Sequence, residues 1–241
     1  MNPFWLAWSF LTVLPAPGQK VATSEEFVRS RVWYPAVGVA LGGLWGGAAW
    51  LAMHWGVPSG LGGALLLAVI LFATGFLHFD GLLDSADALL APRSPQRRLE
   101  ILKDVHMGSF AFGVGGLWLI ASWQILSMHP DWRFLVALPV LSRAALLGPI
   151  HLFPYARAVD SSSLDRSAKG LAWRWIFPVL FATPAVWLFP AQAGTVVVIQ
   201  LAGAWWASRK LGGGITGDIY GALLCMSELG ALIHHALGAS R

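Results

Sequence analysis

Residues 61–87 read LGGALLLAVILFATGFLHFDGLLDSAD, and this stretch decides the fold. Residues 61–79 contain no Asp, Glu, Lys or Arg, and they approach the roughly 20 apolar residues that a helix needs to cross a bilayer. Asp80, Asp84 and Asp87 follow at the spacing i, i+4, i+7, which predicts that all three lie on one helix face. Because Pro58 precedes the segment and Pro92 follows it, we expect one continuous helix from about residue 61 to 90.

The composition of the whole chain is that of a polytopic membrane protein. Of its 241 residues, 56% are hydrophobic and 12% are charged, whereas soluble domains carry about 25% charged residues. The mean hydropathy is +0.63. The single cysteine, Cys225, excludes an internal disulfide and a cysteine-based zinc site. We therefore predict an all-α transmembrane helical bundle that forms one integral membrane domain, residues 1–241.

About seven spanning helices are predicted, at 36–55, 61–79, 108–127, 133–152, 173–190, 192–208 and 217–237. The sixth is short enough to merge with a neighbour. Residues 4–14 are also apolar but too few to span, so they predict a short interfacial or re-entrant helix near the N-terminus.

The basic residues indicate the orientation of the bundle. They cluster before the first span and in alternate loops after it, at Lys20, Arg29, Arg31, Arg93, Arg97, Arg98, Lys103, Arg157, Arg166, Lys169, Arg174, Arg209 and Lys210. Because positive loops stay in the cytoplasm, the N-terminus is expected inside. The net charge of +4 reflects this bias, so the expected partner is the lipid bilayer and not nucleic acid.

A second charged segment follows the three aspartates. Ser94 suits an N-cap and Pro95 the first helical position, which predicts a short helix with Arg97, Glu100 and Asp104 on one face. The two helices together offer up to five carboxylates interleaved with arginines. This combination suits Mg²⁺-assisted phosphoryl transfer, because carboxylates hold the metal and basic groups neutralise developing charge. An ordinary solvated boundary of a span is the alternative interpretation.

The segment GGGITGD, residues 212–218, contributes a further acid at the start of the last span. Its glycines would let backbone amides approach a phosphate closely, and Asp218 is expected level with the first cluster. Glu228 lies about three turns deeper, roughly 15 Å by helical rise. An acid inside a span is a functional candidate, and a buried pair with Arg143 is the alternative.

These segments together resemble the cobalamin synthase family, the adenosylcobinamide-GDP ribazoletransferases, over almost the whole chain. The resemblance is carried by residues 10–17, 34–38, 78–87, 93–104, 142–143, 155–157 and 216–218, together with Glu228. The acidic motif and the Thr-Gly-Asp segment are the specific parts. After Arg157 the chain reads AVDSSS where the family has a short acidic-Gly element.

The resemblance implies a Mg²⁺-dependent transferase of the bacterial inner membrane with its site facing the cytoplasm. A hydroxyl of α-ribazole, or of its 5′-phosphate, attacks the cobinamide-side phosphorus of adenosylcobinamide-GDP, and GMP leaves. The resemblance is also compatible with a homo-oligomer. The expected metal ligands are Asp80, Asp84, Asp87 and Asp104. The catalytic candidates are Asp84, Arg97 and Asp104, and Asp104 would act either as a ligand or as the base. The substrate-binding candidates are Arg93, Arg157, Gly217, Asp218 and Glu228.

Two other functions remain open at this point. A CDP-alcohol phosphotransferase also clusters aspartates and an arginine at a cytoplasmic membrane edge, but its Asp-Gly-x-x-Ala-Arg order does not fit this chain. A cation or proton transporter would need charges deep in several spans, and here Arg143 and Glu228 are the clear examples.

Overall fold

The computed structural model describes residues 2–18, 22–128, 130–156 and 176–239, and its helices confirm the all-α class. The described residues form α1 Pro3–Leu11, α2 Ser24–Ser30, a 3-10 turn Arg31–Trp33, α3 Tyr34–His54, α4 Ser59–Ala73, α5 Leu77–Leu90, α6 Pro95–Ile101, α7 Ser109–Ser127, α8 Trp132–Leu152, α9 Ile176–Leu188, α10 Pro190–Leu211 and α11 Gly217–Ala239. No strand occurs among them, and one isolated bridge pairs Tyr155 with Ile215.

Three helical segments of the described chain are long and apolar enough to cross a membrane: Glu25–His54, Ser109–Ser127 and Trp132–Leu152. The pair Ser59–Ala73 and Leu77–Leu90 passes the same test only if the two helices count together as one broken span. α10 and α11 are long enough but are not among the segments that pass this test, and α9 has 13 residues. By length and composition the described residues therefore supply three or four such spans, fewer than the seven predicted.

The prediction of one continuous helix over 61–90 is wrong. The helix ends at Ala73 and restarts at Leu77, and the two parts meet at 88°. Gly75 and Phe76 both adopt the left-handed region, with φ of 58° and 60°. The Phe76 N–H donates to the Leu71 carbonyl at 2.9 Å, which closes the end of α4 as left-handed residues commonly do. The three aspartates therefore belong to a separate helix, α5.

The other predicted spans correspond to separate helices with similar bounds. α3, α7, α8, α10 and α11 each begin within two residues of the predicted start. The sixth span does not merge with a neighbour, because α10 runs from Pro190 to Leu211 and ends at Gly212, whose φ of 87° stops the helix. Residues 154–170 are the longest polar stretch of the chain and predict a mobile cytoplasmic loop. Most of this stretch, from residue 157 onward, lies outside the described part of the chain.

The core forms where α3 packs on α8 and where α5 and α10 pack on α11. Fully buried side chains there include Tyr34, Trp45, Phe134, Leu138, Leu146 and Leu224. α5 and α11 approach closely through two glycines: a Cβ on Gly81 would stand 2.6 Å from the Asp218 carbonyl oxygen, and one on Gly221 3.0 Å from that of His78. This contact places the start of α11 beside the acidic helix.

Candidate active site

The acidic face of α5 keeps the predicted spacing, but its three carboxylates lie in different environments. Asp80 is exposed, while Asp84 and Asp87 are half-buried. All three belong to the 14-residue helix Leu77–Leu90 and project from one face by helical geometry. The acidic motif therefore presents one exposed carboxylate, at Asp80, and two half-buried ones.

Asp87 closes the N-terminus of α7. Its Oδ2 accepts the Gly108 N–H at 2.6 Å and its Oδ1 accepts the Ala111 N–H at 3.0 Å. The first N–H groups of a helix have no partner within the helix, and a carboxylate there is favoured by the helix dipole. Asp87 therefore ties α5 to α7, and the sequence spacing gave no sign of this role. Each oxygen retains a lone pair, so a metal contact remains compatible with the cap.

Arg98 closes the C-terminal end of α5. It is 4% exposed, and its Nη1 donates to the backbone carbonyls of Ala88 at 2.6 Å and Leu89 at 2.7 Å. Its Nε donates to the backbone carbonyl of Arg93 at 3.0 Å. The last carbonyls of a helix lack internal partners, and cations are favoured beside them. Sequence reasoning left Arg98 out of the site. The sequence feature that could have indicated this cap is an arginine a few residues after a helix that ends before a proline.

The helix after Ser94 forms as predicted, but it is shorter than expected. Ser94 Oγ accepts the Arg97 N–H at 3.3 Å, and Pro95 opens α6. α6 ends at Ile101, so the expected shared face with Asp104 does not exist, because Asp104 lies beyond the helix. Arg97 instead pairs with Glu100 at 2.7 Å, and both side chains are more than half exposed.

Asp104 is held by the turn that follows α6. Its Oδ1 accepts the His106 backbone N–H at 3.1 Å and lies 2.7 Å from His106 Nδ1. These hydrogen bonds, the side-chain one first, lower the pKa of the Asp104 carboxyl below its ordinary value. A lowered pKa keeps the carboxylate charged and makes it a weaker proton acceptor, which suits a ligand better than a general base.

The glycine-rich segment before α11 has a structural explanation. Gly212 and Gly213 both have positive φ, and the Ile215 N–H donates to the Pro154 carbonyl at 3.0 Å. The Ala156 N–H donates in turn to the Ile215 carbonyl at 3.0 Å. These bonds bring the chain that leads into residue 157 beside the start of α11. Arg157 itself lies outside the described residues.

Asp218, in the first turn of α11, lies against the acidic helix. Its backbone contacts Gly81, the residue between Asp80 and the rest of the acidic face, and its Oδ2 accepts the Thr216 hydroxyl at 3.1 Å. Gly217 is the first residue of the helix. Asp218 is therefore level with the α5 aspartates, at the same end of the bundle.

Glu228 lies deeper, in a buried polar centre. Its Oε1 pairs with Arg143 and accepts the Ser142 hydroxyl at 2.7 Å. Arg143 Nη2 lies 3.4 Å from His78 Nδ1, and Gln200 Nε2 donates to the Ser142 carbonyl at 2.9 Å. The Arg143 pairing left open by the sequence is present. The structure places Glu228 with this centre, among groups from α5, α8, α10 and α11.

Within the described residues, no three His, Cys, Asp or Glu side chains lie close enough to hold a metal ion by themselves. Mg²⁺ usually keeps several waters and needs only one or two carboxylates when substrate phosphates supply the other ligands. Asp80 and Asp84, one turn apart on α5 and beside Asp218, fit this second type of site by their chemistry. These residues do not form a site in which protein atoms supply every ligand of the metal.

The comparisons identify the family. A family model described as cobalamin-5-phosphate synthase matches residues 3–236.

The chain belongs to the cobalamin-5-phosphate synthase family.

Three relatives of this family are each named adenosylcobinamide-GDP ribazoletransferase. The protein of Deinococcus radiodurans is 40% identical over 225 residues, which cover 93% of this chain and 81% of the relative. That of Desulfitobacterium hafniense is 39% identical, covering 95% and 94%, and that of Pseudomonas entomophila is 36% identical, covering 98% and 99%. No solved structure matches the chain.

The cobalamin-5-phosphate synthase match runs from α1 to α11 and so includes every candidate site residue. The resemblance predicted from the acidic motif and the Thr-Gly-Asp segment is confirmed at the level of the family. In this structure those two segments meet at the contact between Gly81 and Asp218.

Proposed function

We propose that this chain acts as an adenosylcobinamide-GDP ribazoletransferase in the assembly of cobalamin. It joins adenosylcobinamide-GDP to α-ribazole, or to α-ribazole 5′-phosphate, and releases GMP. The product is adenosylcobalamin or its 5′-phosphate. The family membership and the names of the relatives support the reaction. The observation that supports a site for this reaction is the contact between the acidic helix α5 and the start of α11.

The site must neutralise a diphosphate and orient the attacking hydroxyl. We assign Asp80 and Asp84 as the residues that would hold a Mg²⁺ ion, with Asp87 and Asp104 as the further candidate ligands. When bound, such an ion would withdraw charge from the phosphate oxygens. Arg97 would stabilise charge that develops on phosphorus in the transition state. Its present partner is Glu100, an exposed pair that contributes little and is readily exchanged for a phosphate.

Substrate binding is assigned to groups around this acidic face. Arg93, which follows α5, is exposed and can reach a phosphate, and Arg157 is the corresponding candidate from the next polar segment. Gly217 and Asp218 begin α11, where backbone N–H groups and the helix dipole favour a negatively charged ligand. We assign Glu228 a supporting part from below, through the polar centre.

The orientation that we propose has the N-terminus and the site in the cytoplasm of a bacterium, with the bundle in the inner membrane. Basic residues support it. Arg93 and Arg97 flank the end of α5, and Pro95 lies near Gly212 at the end of α10, which also carries Arg209 and Lys210. The acidic helix and these cations therefore share one end of the bundle, as the positive-inside rule expects of a cytoplasmic face.

GMP release by purified protein tests the proposal. The reaction contains adenosylcobinamide-GDP, α-ribazole 5′-phosphate and Mg²⁺. We expect turnover by the wild type, loss of turnover by Asp84→Asn, and unchanged insertion of that variant into the membrane. Asp131→Asn is the matched control, because Asp131 caps α8 at the other end of the bundle and should not affect turnover.

The same preparation separates the alternatives. Wild-type turnover by Asp84→Asn would overturn the assigned site. Formation of a lipid product from a CDP-linked donor would favour a CDP-alcohol phosphotransferase. Metal-dependent flux across vesicles, without any GMP release, would favour a transporter.

A further inference from the structure

A cavity of about 370 Å³ lies between α5, α7, α10 and α11. Its lining is apolar apart from Ser85, and it includes Leu82, Leu89, Ile199, Trp206 and Met226. Trp206 and Met226 are also exposed, at 40% and 44%, so the cavity opens on the outer surface of the bundle. The opening therefore faces the same surroundings as the exposed apolar side chains of these helices.

The cavity lies on the side of α5 that faces away from the aspartates. Leu82, Ala86 and Leu89 share a face at i, i+4, i+7, and each is two residues after an aspartate, a rotation of about 200° on a helix. Its lining on α5 extends from Leu82 to Leu90, roughly 12 Å along the axis. This length and the apolar lining suit a hydrocarbon chain lying parallel to the helices.

Two cations follow the part of α10 that lines the cavity. Ile199, Gly203 and Trp206 line it from α10, and Lys210 continues the same stripe one turn further on. The Lys210 Nζ lies 5.7 Å from the Trp206 ring centroid, and the neighbouring Arg209 covers Trp205 at 4.5 Å. Neither cation takes part in a salt bridge within the described ranges. These two cations therefore complement an anionic group.

Ser85 supplies a polar contact inside the cavity. The residue is 5% exposed, and its Oγ has no hydrogen-bond partner among the described protein atoms. A buried hydroxyl without a partner costs free energy that a bound acceptor recovers. An occupant with a hydrocarbon chain and a carbonyl oxygen would match both the lining and this hydroxyl.

We propose that this cavity binds one acyl chain of an anionic phospholipid, with the phosphate at Lys210 and Arg209. The proposal rests on the membrane placement given above. A phospholipid carries hydrocarbon, an ester carbonyl and a phosphate, and the cavity offers an apolar lining, the Ser85 hydroxyl and nearby cations. The lipid lies behind the acidic helix, so it supports α5 from the side opposite the aspartates and stabilises the folded state by mass action.

Lipid retention tests the proposal without any turnover. Wild-type protein is placed in nanodiscs of phosphatidylcholine, or of phosphatidylcholine with phosphatidylglycerol, and the lipids that remain bound after extraction are counted by native mass spectrometry. We expect one phosphatidylglycerol to be retained and the melting temperature to rise with its fraction. Equal retention of both lipids, or no change in melting, would overturn the proposal.

Two variants and one control locate the site. Lys210→Gln should weaken phosphatidylglycerol retention about fivefold, the effect of one basic residue near an anionic surface. Ala222→Leu, which fills the cavity from α11, should abolish retention. Arg133→Gln removes a cation that covers Trp132 in the same way at the other end of the bundle, and it should leave retention unchanged.

The controls also separate this proposal from the proposed reaction. A lysine variant that behaves like Arg133→Gln contradicts the lipid site, even if the enzyme turns over. If Ala222→Leu raises the KM for α-ribazole and leaves lipid retention intact, the cavity serves the substrate and the lipid proposal fails. Retained lipid without GMP release would refute the reaction alone.

Discussion

Replacing Asp87 by alanine tests whether this carboxylate caps the start of α7. The substitution removes both acceptors of the Gly108 and Ala111 N–H groups and leaves the start of α7 without a partner. A hydrogen bond to a charged group contributes roughly 1.5–3 kcal/mol. Because Asp87 is half-buried, we take the lower end of that range for each of the two bonds and expect a loss of about 3 kcal/mol in unfolding free energy.

Unfolding in mixed micelles, with an increasing mole fraction of SDS and detection by tryptophan fluorescence, measures this loss. Asp87→Asn retains one acceptor oxygen and should fall between the alanine variant and the wild type. Asp80→Ala is the matched control, because Asp80 is exposed on the same helix face and should change stability by only about 0.5 kcal/mol. Hydrogen exchange should rise selectively at the amides of Gly108 and Ala111.

Asp87 does not stabilise the start of α7 if Asp87→Ala destabilises the protein no more than Asp80→Ala does. The same conclusion follows if hydrogen exchange at the start of α7 stays slow in the alanine variant. Either result would mean that the two short hydrogen bonds contribute nothing to the junction of α5 and α7.

Two further predictions concern the polar centre and the turn after α6. Arg143→Met leaves the Glu228 carboxylate buried without its cation and should cost roughly 3–5 kcal/mol, whereas the double variant with Glu228→Gln should recover most of that loss in the same unfolding assay; additive effects would contradict the pair. Because the Asp104 pKa is lowered from its ordinary 3.8, its contribution to stability is present above that pH and disappears as the pH falls through the lowered pKa. His106→Phe should raise this pKa towards 3.8 in a carbon-13 NMR titration, and an unchanged value would contradict the hydrogen bond.

Much of the helix layout follows from local rules that a sequence displays. Runs of apolar residues bounded by prolines and glycines predicted the starts of α3, α7, α8, α10 and α11 within two residues. The N-cap at Ser94 and the proline after it were also predictable, because the orphan N–H groups of a first turn are satisfied within a few residues. The prediction of seven spans is not confirmed, because by length and composition the described residues supply three or four.

The break between α4 and α5 could not be predicted from the same rules. A glycine inside an apolar run is tolerated in a helix, and Phe76 is not a residue type that favours the left-handed region. Contacts from elsewhere stabilise the turn: the Val13 N–H donates to the Ala73 carbonyl at 3.1 Å, which satisfies the end of α4 with a residue some sixty positions earlier. Such partners are distant in sequence, so no local pattern indicates them.

The sequence by itself determined that the chain is a helical, membrane-type protein, and its spacing of acids indicated the family. Hydropathy and helical period are properties of each segment alone, so they can be read without knowing what a segment contacts. Only the tertiary structure decided which charges hold the fold: Asp87 caps the start of α7, Arg98 caps the end of α5, and Arg143 pairs with Glu228. Each of these depends on a partner brought close by packing, and the distance between two side chains on different helices is not written in either segment.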